Sequence, residues 1–316
     1  PLVPSASPLS RSLDSARKLE DAGASAIVMY SLFEEDLRQE EETTARFLIE
    51  QDTGFGEADS FLPFFDQYQH GLDQYLGQLE ALKQALDIPV IASINGISLD
   101  GWVTHGKMLE QAGADALELN VYYIATDFNE AGVEVESRYV ELLRELRSEV
   151  SLPITMKLSP YFSSLPSFIR VLEKEGVDGI SLFNRFYQPD IDPDNLQVIP
   201  KLHLSNSSDT LLAMRWIAIL YRRVNVSLAA TGGVHTAEDV IKMLLAGADV
   251  THLCAALLIH GPEHLKTIKD GLVEWVEQNE YQSIQEFKGR LSEEFCESPD
   301  LYERANYISV LNNFSS

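Results

Sequence analysis

Gln111-Ala112-Gly113-Ala114-Asp115-Ala116-Leu117-Glu118-Leu119-Asn120-Val121 reads as the end of a helix, a turn and a complete strand. A helix-period segment stops at Ala112. Gly113 supplies the left-handed residue that closes a helix, and a short β-rich run follows. The same punctuation recurs at Asp21-Ala22-Gly23-Ala24 and at Leu245-Ala246-Gly247-Ala248-Asp249. A helix-to-strand connection repeated along one chain is the signature of alternating β and α units.

Outward from these points the alternation continues. Strand-like runs are predicted at 2–7, 26–31, 89–94, 116–121, 154–158, 179–183, 226–230 and 250–254, with amphipathic helices between them, among them 12–22, 72–86 and 98–112. Eight such units imply a parallel sheet, which at this number closes into a (β/α)8 barrel. No early G-x-G-x-x-G turn favours an open, dinucleotide-binding sheet. Residues 38–70 are too long for an ordinary βα loop and are expected to form an insertion at the barrel mouth after the second strand. Within it, Glu40-Glu41-Glu42 reads as a solvated acidic face. Residues 281–316 have helical periodicity and are expected to pack outside the barrel. The whole of 1–316 is read as one domain, since barrels of this length fold as single units.

Composition narrows the function. Apolar residues make up 45% of the chain and charged residues 23%, as in a globular protein with a substantial core. The net charge of −25 repels polyanions, so nucleic acid and anionic membranes are not expected partners. Two cysteines, Cys254 and Cys296, are too few for a disulfide framework or zinc cluster, and no metal site is expected. No apolar run is long enough to span a bilayer, and a cytoplasmic location is expected. The sequence begins at Pro1 without methionine, so preceding residues are expected to be missing.

In a barrel the chemistry gathers at the C-terminal strand ends. There the sequence places Ala6, Ser7, Tyr30, Ser31, Ser93, Asn95, Asn120, Lys157, Asn184, Gly232, Gly233, Cys254 and Ala255. Small, amide and hydroxyl residues around one lysine suit a planar heteroaromatic cofactor better than a hydrolytic dyad. Lys157 lies within the apolar run Thr155-Met156-Lys157-Leu158, where a buried amine needs a partner or a task. It is read either as a donor to an electron-rich ring or as a Schiff-base nucleophile. Thr231-Gly232-Gly233-Val234 follows the seventh run, where barrels bind phosphate, and the helix start at Thr236-Ala237-Glu238-Asp239 is expected to attract the anion.

These pieces resemble the dihydroorotate dehydrogenase family, and specifically its soluble members. The resemblance runs through Pro4-Ser5-Ala6-Ser7, Ala92-Ser93-Ile94-Asn95-Gly96, Ala112 to Asn120, Pro153-Ile154-Thr155-Met156-Lys157-Leu158, Thr231-Gly232-Gly233-Val234 and Arg304-Ala305-Asn306-Tyr307-Ile308. It implies an FMN site. Ala6 and Ser7 would lie under the ring, with Ser31 close by, and Asn120 and Lys157 would hydrogen-bond the isoalloxazine. Gly232, Gly233 and the loop from Cys254 and Ala255 would hold the phosphate. Asn184 falls where family members use an asparagine on the substrate, and Tyr30 and Asn95 join it as candidate substrate contacts.

Two departures stand out. Soluble members continue from the position of Asn120 as Asn-x-Ser-Cys-Pro-Asn, with the cysteine as catalytic base. This chain reads Asn120-Val121-Tyr122-Tyr123-Ile124-Ala125, which puts Tyr123 at that position. The family's lysine at the end of the second strand is replaced by Tyr30, and its Asn-x-x-Gly-x-x-Asn segment has no counterpart, Ser60-Phe61-Leu62-Pro63-Phe64 lying near its place.

The expected function is an FMN-dependent oxidoreductase acting on a CH–CH or C=C bond, as in the oxidation of dihydroorotate to orotate in pyrimidine biosynthesis. Lys157 and Tyr123 are the catalytic candidates, and the substrate is open to change. The rival readings are a phosphate-binding barrel synthase or aldolase using Lys157, and a flavin-binding subunit without turnover. No iron–sulfur motif or dinucleotide domain identifies the electron acceptor. A homodimer is the default assembly for a soluble enzyme.

Overall fold

The computed structural model describes residues 1–34, 71–96, 99–186 and 188–303, apart from the side chains of 99–101. The expected mouth insertion at 38–70 lies outside the described residues, and the next described element is a helix beginning at Gly71.

Eight parallel strands form the barrel: β1 (Leu2–Pro4), β2 (Ile27–Phe33), β3 (Val90–Gly96), β4 (Ala116–Val121), β5 (Ile154–Leu158), β6 (Gly179–Leu182), β9 (Ser227–Thr231) and β10 (Val250–Leu253). They are hydrogen-bonded in the order β1-β10-β9-β6-β5-β4-β3-β2, which is the chain order read around a ring. At the seam between β1 and β2, the amide and hydroxyl of Ser25 both donate to the Leu2 carbonyl at 2.9 Å. The helices wrap the outside: α1 (Leu13–Asp21), α2 (Gly71–Ala85), α3 (Leu99–Gln111), α4 (Gly132–Glu149), α5 (Leu165–Lys174), α6 (Thr210–Leu220), α7 (Ala237–Ala246), α8 (Ala255–His260) and α9 (His264–Gln278). The protein is thus a (β/α)8 barrel, and each predicted strand falls within a few residues of an observed one.

The repeated Ala-Gly-Ala punctuation has one physical basis. Gly23, Gly113 and Gly247 all have positive φ, and the amide of the alanine after each glycine reaches back to Leu19, Leu109 or Met243. The aspartate that follows has its own role. Asp115 accepts the amide of Val90 at 2.6 Å and Asp249 that of Leu228 at 2.8 Å, so each helix stop also ties off the start of the preceding strand. Asp178 does the same for Ile154. Lys83, Lys288 and Arg147 respectively neutralise these carboxylates.

Two features differ from expectation. Between β6 and α6 the chain forms an antiparallel hairpin, β7 (Pro189–Asp192) with β8 (Gln197–Pro200), which short prolyl strands had hidden from a search for period. The tail packs on the outside as expected, but over its described part it is helical only at Ile284–Glu286, a 3-10 turn, and at α10 (Asp300–Glu303). Alternate amides bond other elements, Gly289 to Leu244, Leu291 to Leu245 and Glu293 to Ala218, while Arg290 and Ser292 between them bond the tail's own preceding turn. These acceptors are end-of-helix carbonyls of α7 and α6, of which Leu244 also accepts from the Gly247 amide. Phe287 anchors the tail, fully buried against Trp275 and Tyr281.

Candidate functional site

Parallel strands bring their C-terminal ends to one rim, and the polar residues there come from almost every strand. Lys157 on β5 is buried, and its Nζ donates to Ser5 Oγ at 3.4 Å, just past the end of β1 and next to Ala6 and Ser7. Asn120 is its register partner on β4, and Asn95 is the partner of Asn120 on β3. Asn184, beyond β6, donates from Nδ2 to Asn120 Oδ1 at 2.6 Å. Ser31 shares a 3.0 Å hydroxyl contact with Ser93. The Cys254 thiol is pushed up by burial, an effect offset in part by the Lys157 charge. The fold therefore gathers Asn95, Asn120, Asn184, Lys157, the Ser5–Ser7 turn and Cys254 at one end of the barrel.

The glycine pair divides its labour. A Cβ at Gly233 would fall 2.5 Å from the Thr210 amide nitrogen and 2.9 Å from the Asn206 carbonyl oxygen, so Gly233 is needed for packing. A Cβ at Gly232 would meet nothing within 4 Å: its face is open. The expected anion attraction by the helix at Thr236 is corrected by the structure. Asp239 already closes that N-terminus, its Oδ2 accepting from the amides of His235 and Thr236 at 3.0 Å and from Ser207 Oγ at 2.8 Å. A second anion there would meet a carboxylate. The helix that opens beside Cys254, α8, has no side-chain cap, and its first residue is the buried Ala255.

Two singled-out residues have other neighbours. The Tyr30 ring lies edge-on to Tyr75 of α2 at 4.9 Å, with the Arg11 guanidinium 4.3 Å over it, and so packs among α2, β2 and the turn after β1. The Tyr123 hydroxyl donates to Glu130 Oε2 at 2.6 Å, and Arg138 both binds Glu130 and covers the Tyr123 ring at 4.8 Å. The Glu130 bond raises the Tyr123 pKa above its ordinary value, because losing the proton would set two anions side by side.

Sequence reading passed over a buried polar belt just inside the rim. Glu118 on β4 is fully buried. Its Oε1 accepts from Ser93 Oγ at 3.3 Å and stands 3.7 Å from Lys157 Nζ. Its Oε2 is 3.8 Å from Nδ1 of His252, on β10, which also meets Ser181 Oγ at 3.4 Å. Burial holds His252 down to a pKa of about 4, against the pull of Glu118, so the imidazole is neutral near pH 7. The available signal was the one that picked out Lys157: an ionisable residue within an apolar strand.

These features suit a planar, hydrogen-bonding group with a phosphate. A cation and amides line the end of β4 and β5, open space lies over Gly232, and α8 starts without a side-chain cap. Among the described residues no group of three or more His, Cys, Asp or Glu side chains is placed to hold a metal, and no helix is long and apolar enough to cross a membrane.

A family model described as dihydroorotate dehydrogenase matches residues 65–276. Among similar proteins, the catalytic subunit of dihydroorotate dehydrogenase B (NAD(+)) of Shouchella clausii is 28% identical over 210 residues, covering 64% of this chain and 68% of that protein. Dihydroorotate dehydrogenase A (fumarate) of Lactobacillus delbrueckii subsp. bulgaricus is 31% identical over 193 residues, covering 59% of this chain and 63% of its own length. The B-type catalytic subunit of Caldicellulosiruptor bescii is 24% identical over 228 residues, covering 70% of this chain and 75% of that protein.

Proposed function

The chain belongs to the dihydroorotate dehydrogenase family, and we propose that it is an FMN-dependent oxidoreductase acting on a CH–CH or C=C bond of a small molecule, with dihydroorotate the first substrate to test. The observation that carries this reading is Lys157, a cation enclosed at the end of β5, level with Asn120 and joined to the turn that leads to Ala6 and Ser7. FMN, when bound, supplies the hydride chemistry. The protein supplies a fixed positive charge at the electron-accepting ring, amides for its polar edge and a glycine face for its phosphate.

Asn184 and Asn95 are read as substrate contacts beside Asn120. Tyr30 is a weaker candidate, its ring being committed to Tyr75 and Arg11. Tyr123 is proposed to move the proton that accompanies the hydride. Its raised pKa keeps the phenol protonated near neutrality, with a proton to give to one carbon of an activated C=C bond, while Arg138 over the ring favours the phenolate left behind. Reduction should therefore hold through neutral pH and fail only as pH rises past the ordinary tyrosine range, near ~10.

The first measurement is the visible spectrum of the purified protein, with identification of any small molecule released on denaturation. A yellow protein that releases FMN on denaturation, and whose bound flavin bleaches when dihydroorotate is added anaerobically to the native protein, supports the reading. Colourless protein that takes up no added FMN overturns it. Tyr123→Phe should slow turnover by about 100-fold or more with flavin content unchanged. Full activity in that variant would exclude the proton-transfer role. The relatives' names mention NAD(+) and fumarate, and these are the first electron acceptors to try.

A further inference from the structure

Inside the rim, Glu118 and Lys157 form an enclosed ion pair. Because His252 is neutral, it brings no third charge to the group. We infer that Glu118 is a positioning residue for Lys157: it fixes where the ammonium stands and offsets the charge that Lys157 presents to a ring bound above it, while Ser93 tethers the carboxylate and His252 closes its other side. The part of this inference that concerns the ring rests on the FMN reading; the pairing itself does not.

The geometry supports this division of roles. Lys157 Nζ has Ser5 Oγ on the rim side at 3.4 Å and Glu118 Oε1 at 3.7 Å. Ser93 Oγ donates to the same Oε1, and Ser93 is itself locked by Tyr75, whose hydroxyl accepts the Ser93 amide at 2.9 Å and donates to its carbonyl at 3.2 Å. The other carboxylate oxygen, Oε2, is buried without a hydrogen bond, and His252 Nδ1 is the group facing it, at 3.8 Å. Glu118 and Lys157 lie on adjacent strands, but His252 reaches the carboxylate from β10, with β5, β6 and β9 between β4 and β10 in the sheet. The contact therefore crosses the barrel interior. A carboxylate tethered by Ser93 and enclosed by the His252 ring on its other side has little room to move, and an enclosed ammonium with one anionic neighbour takes its position from that neighbour. Part of the lysine's field is cancelled at source. Without Glu118, the full positive charge would act on a bound ring and favour its electron-rich, reduced state.

Two independent readouts test this. In melts of the protein without added cofactor, Glu118→Gln and Lys157→Met should each lower Tm. The double variant should be more stable than the sum of the single effects predicts, because each single change leaves one charge enclosed without its partner. Strict additivity would overturn the pairing. In FMN-loaded protein, Glu118→Gln should raise the midpoint potential and Lys157→Met should lower it. Glu118→Asp should fall between wild type and Glu118→Gln, and Glu118→Gln should have little further effect once Lys157 is methionine. If Glu118→Gln folds poorly, Ser93→Ala, which frees one carboxylate oxygen, should shift the potential in the same direction by less. An unchanged potential in every Glu118 and Ser93 variant that binds FMN would overturn the inference. Protein that takes no FMN defeats the functional reading instead, and the melts then decide the pairing alone.

Discussion

His252 shows how one buried side chain leaves a mark on the whole molecule. Burial lowers its pKa to about 4, whereas in the unfolded chain it titrates near its ordinary value of 6.5. Above pH 6.5 both states leave it neutral and it contributes nothing to pH dependence. Between 6.5 and about 4 only the unfolded state takes the proton, so folding loses stability as pH falls, by roughly 3 kcal/mol in full. Urea denaturation of wild type and His252→Gln at pH 7 and pH 5 measures this. Wild type should lose about 2 kcal/mol more than the variant on going to pH 5. An equal loss in both would place the titration elsewhere. Tyr123 is also kept neutral, but by a shift upward, and chiefly by the hydrogen bond to its carboxylate partner.

At the scale of elements, the loop after β9 carries the sharpest contrast. Gly232 and Gly233 are adjacent and both have positive φ, yet only one is pressed by neighbouring backbone. Gly232→Ala should cost about 1–2 kcal/mol, the strain of a left-handed alanine. Gly233→Ala should cost about 1–3 kcal/mol beyond that, because its methyl meets the Asn206–Thr210 backbone. FMN affinity should respond in the reverse order, since the face that Gly232 leaves open is the one proposed to receive the phosphate. Chemical denaturation and flavin titration of the two variants separate packing from binding. The same loop shows why the helix at Thr236 was the wrong anion site. Thr236-Ala237-Glu238-Asp239 is a strong helix start because it carries its own anion, and that anion occupies the place a ligand would need.

For the whole molecule, a net charge of −25 sets like charges against one another in the folded state. Raising ionic strength from about 0.01 M to 0.15 M shortens the screening length from about 30 Å to 8 Å, so Tm should rise over that range. A Tm that falls would mean that the surface ion pairs outweigh the repulsion. At this scale the sequence was most readable. The strand and helix periods, and the glycine stops, act over a few residues, so they placed eight strands and predicted barrel closure. The charge of Lys157 inside an apolar run marked it for the same local reason. What only the tertiary structure decided is who meets whom. Glu118 and His252 sit in runs that read as plain strands, and they meet only because the closed barrel turns alternate residues of distant strands inward. Tyr123 and Tyr30 looked alike as tyrosines near strand ends, yet one met Glu130 and the other Tyr75. The tail, helical by period, gave three of its amides to end-of-helix carbonyls of α6 and α7, because contacts made by packing can outweigh a marginal local preference.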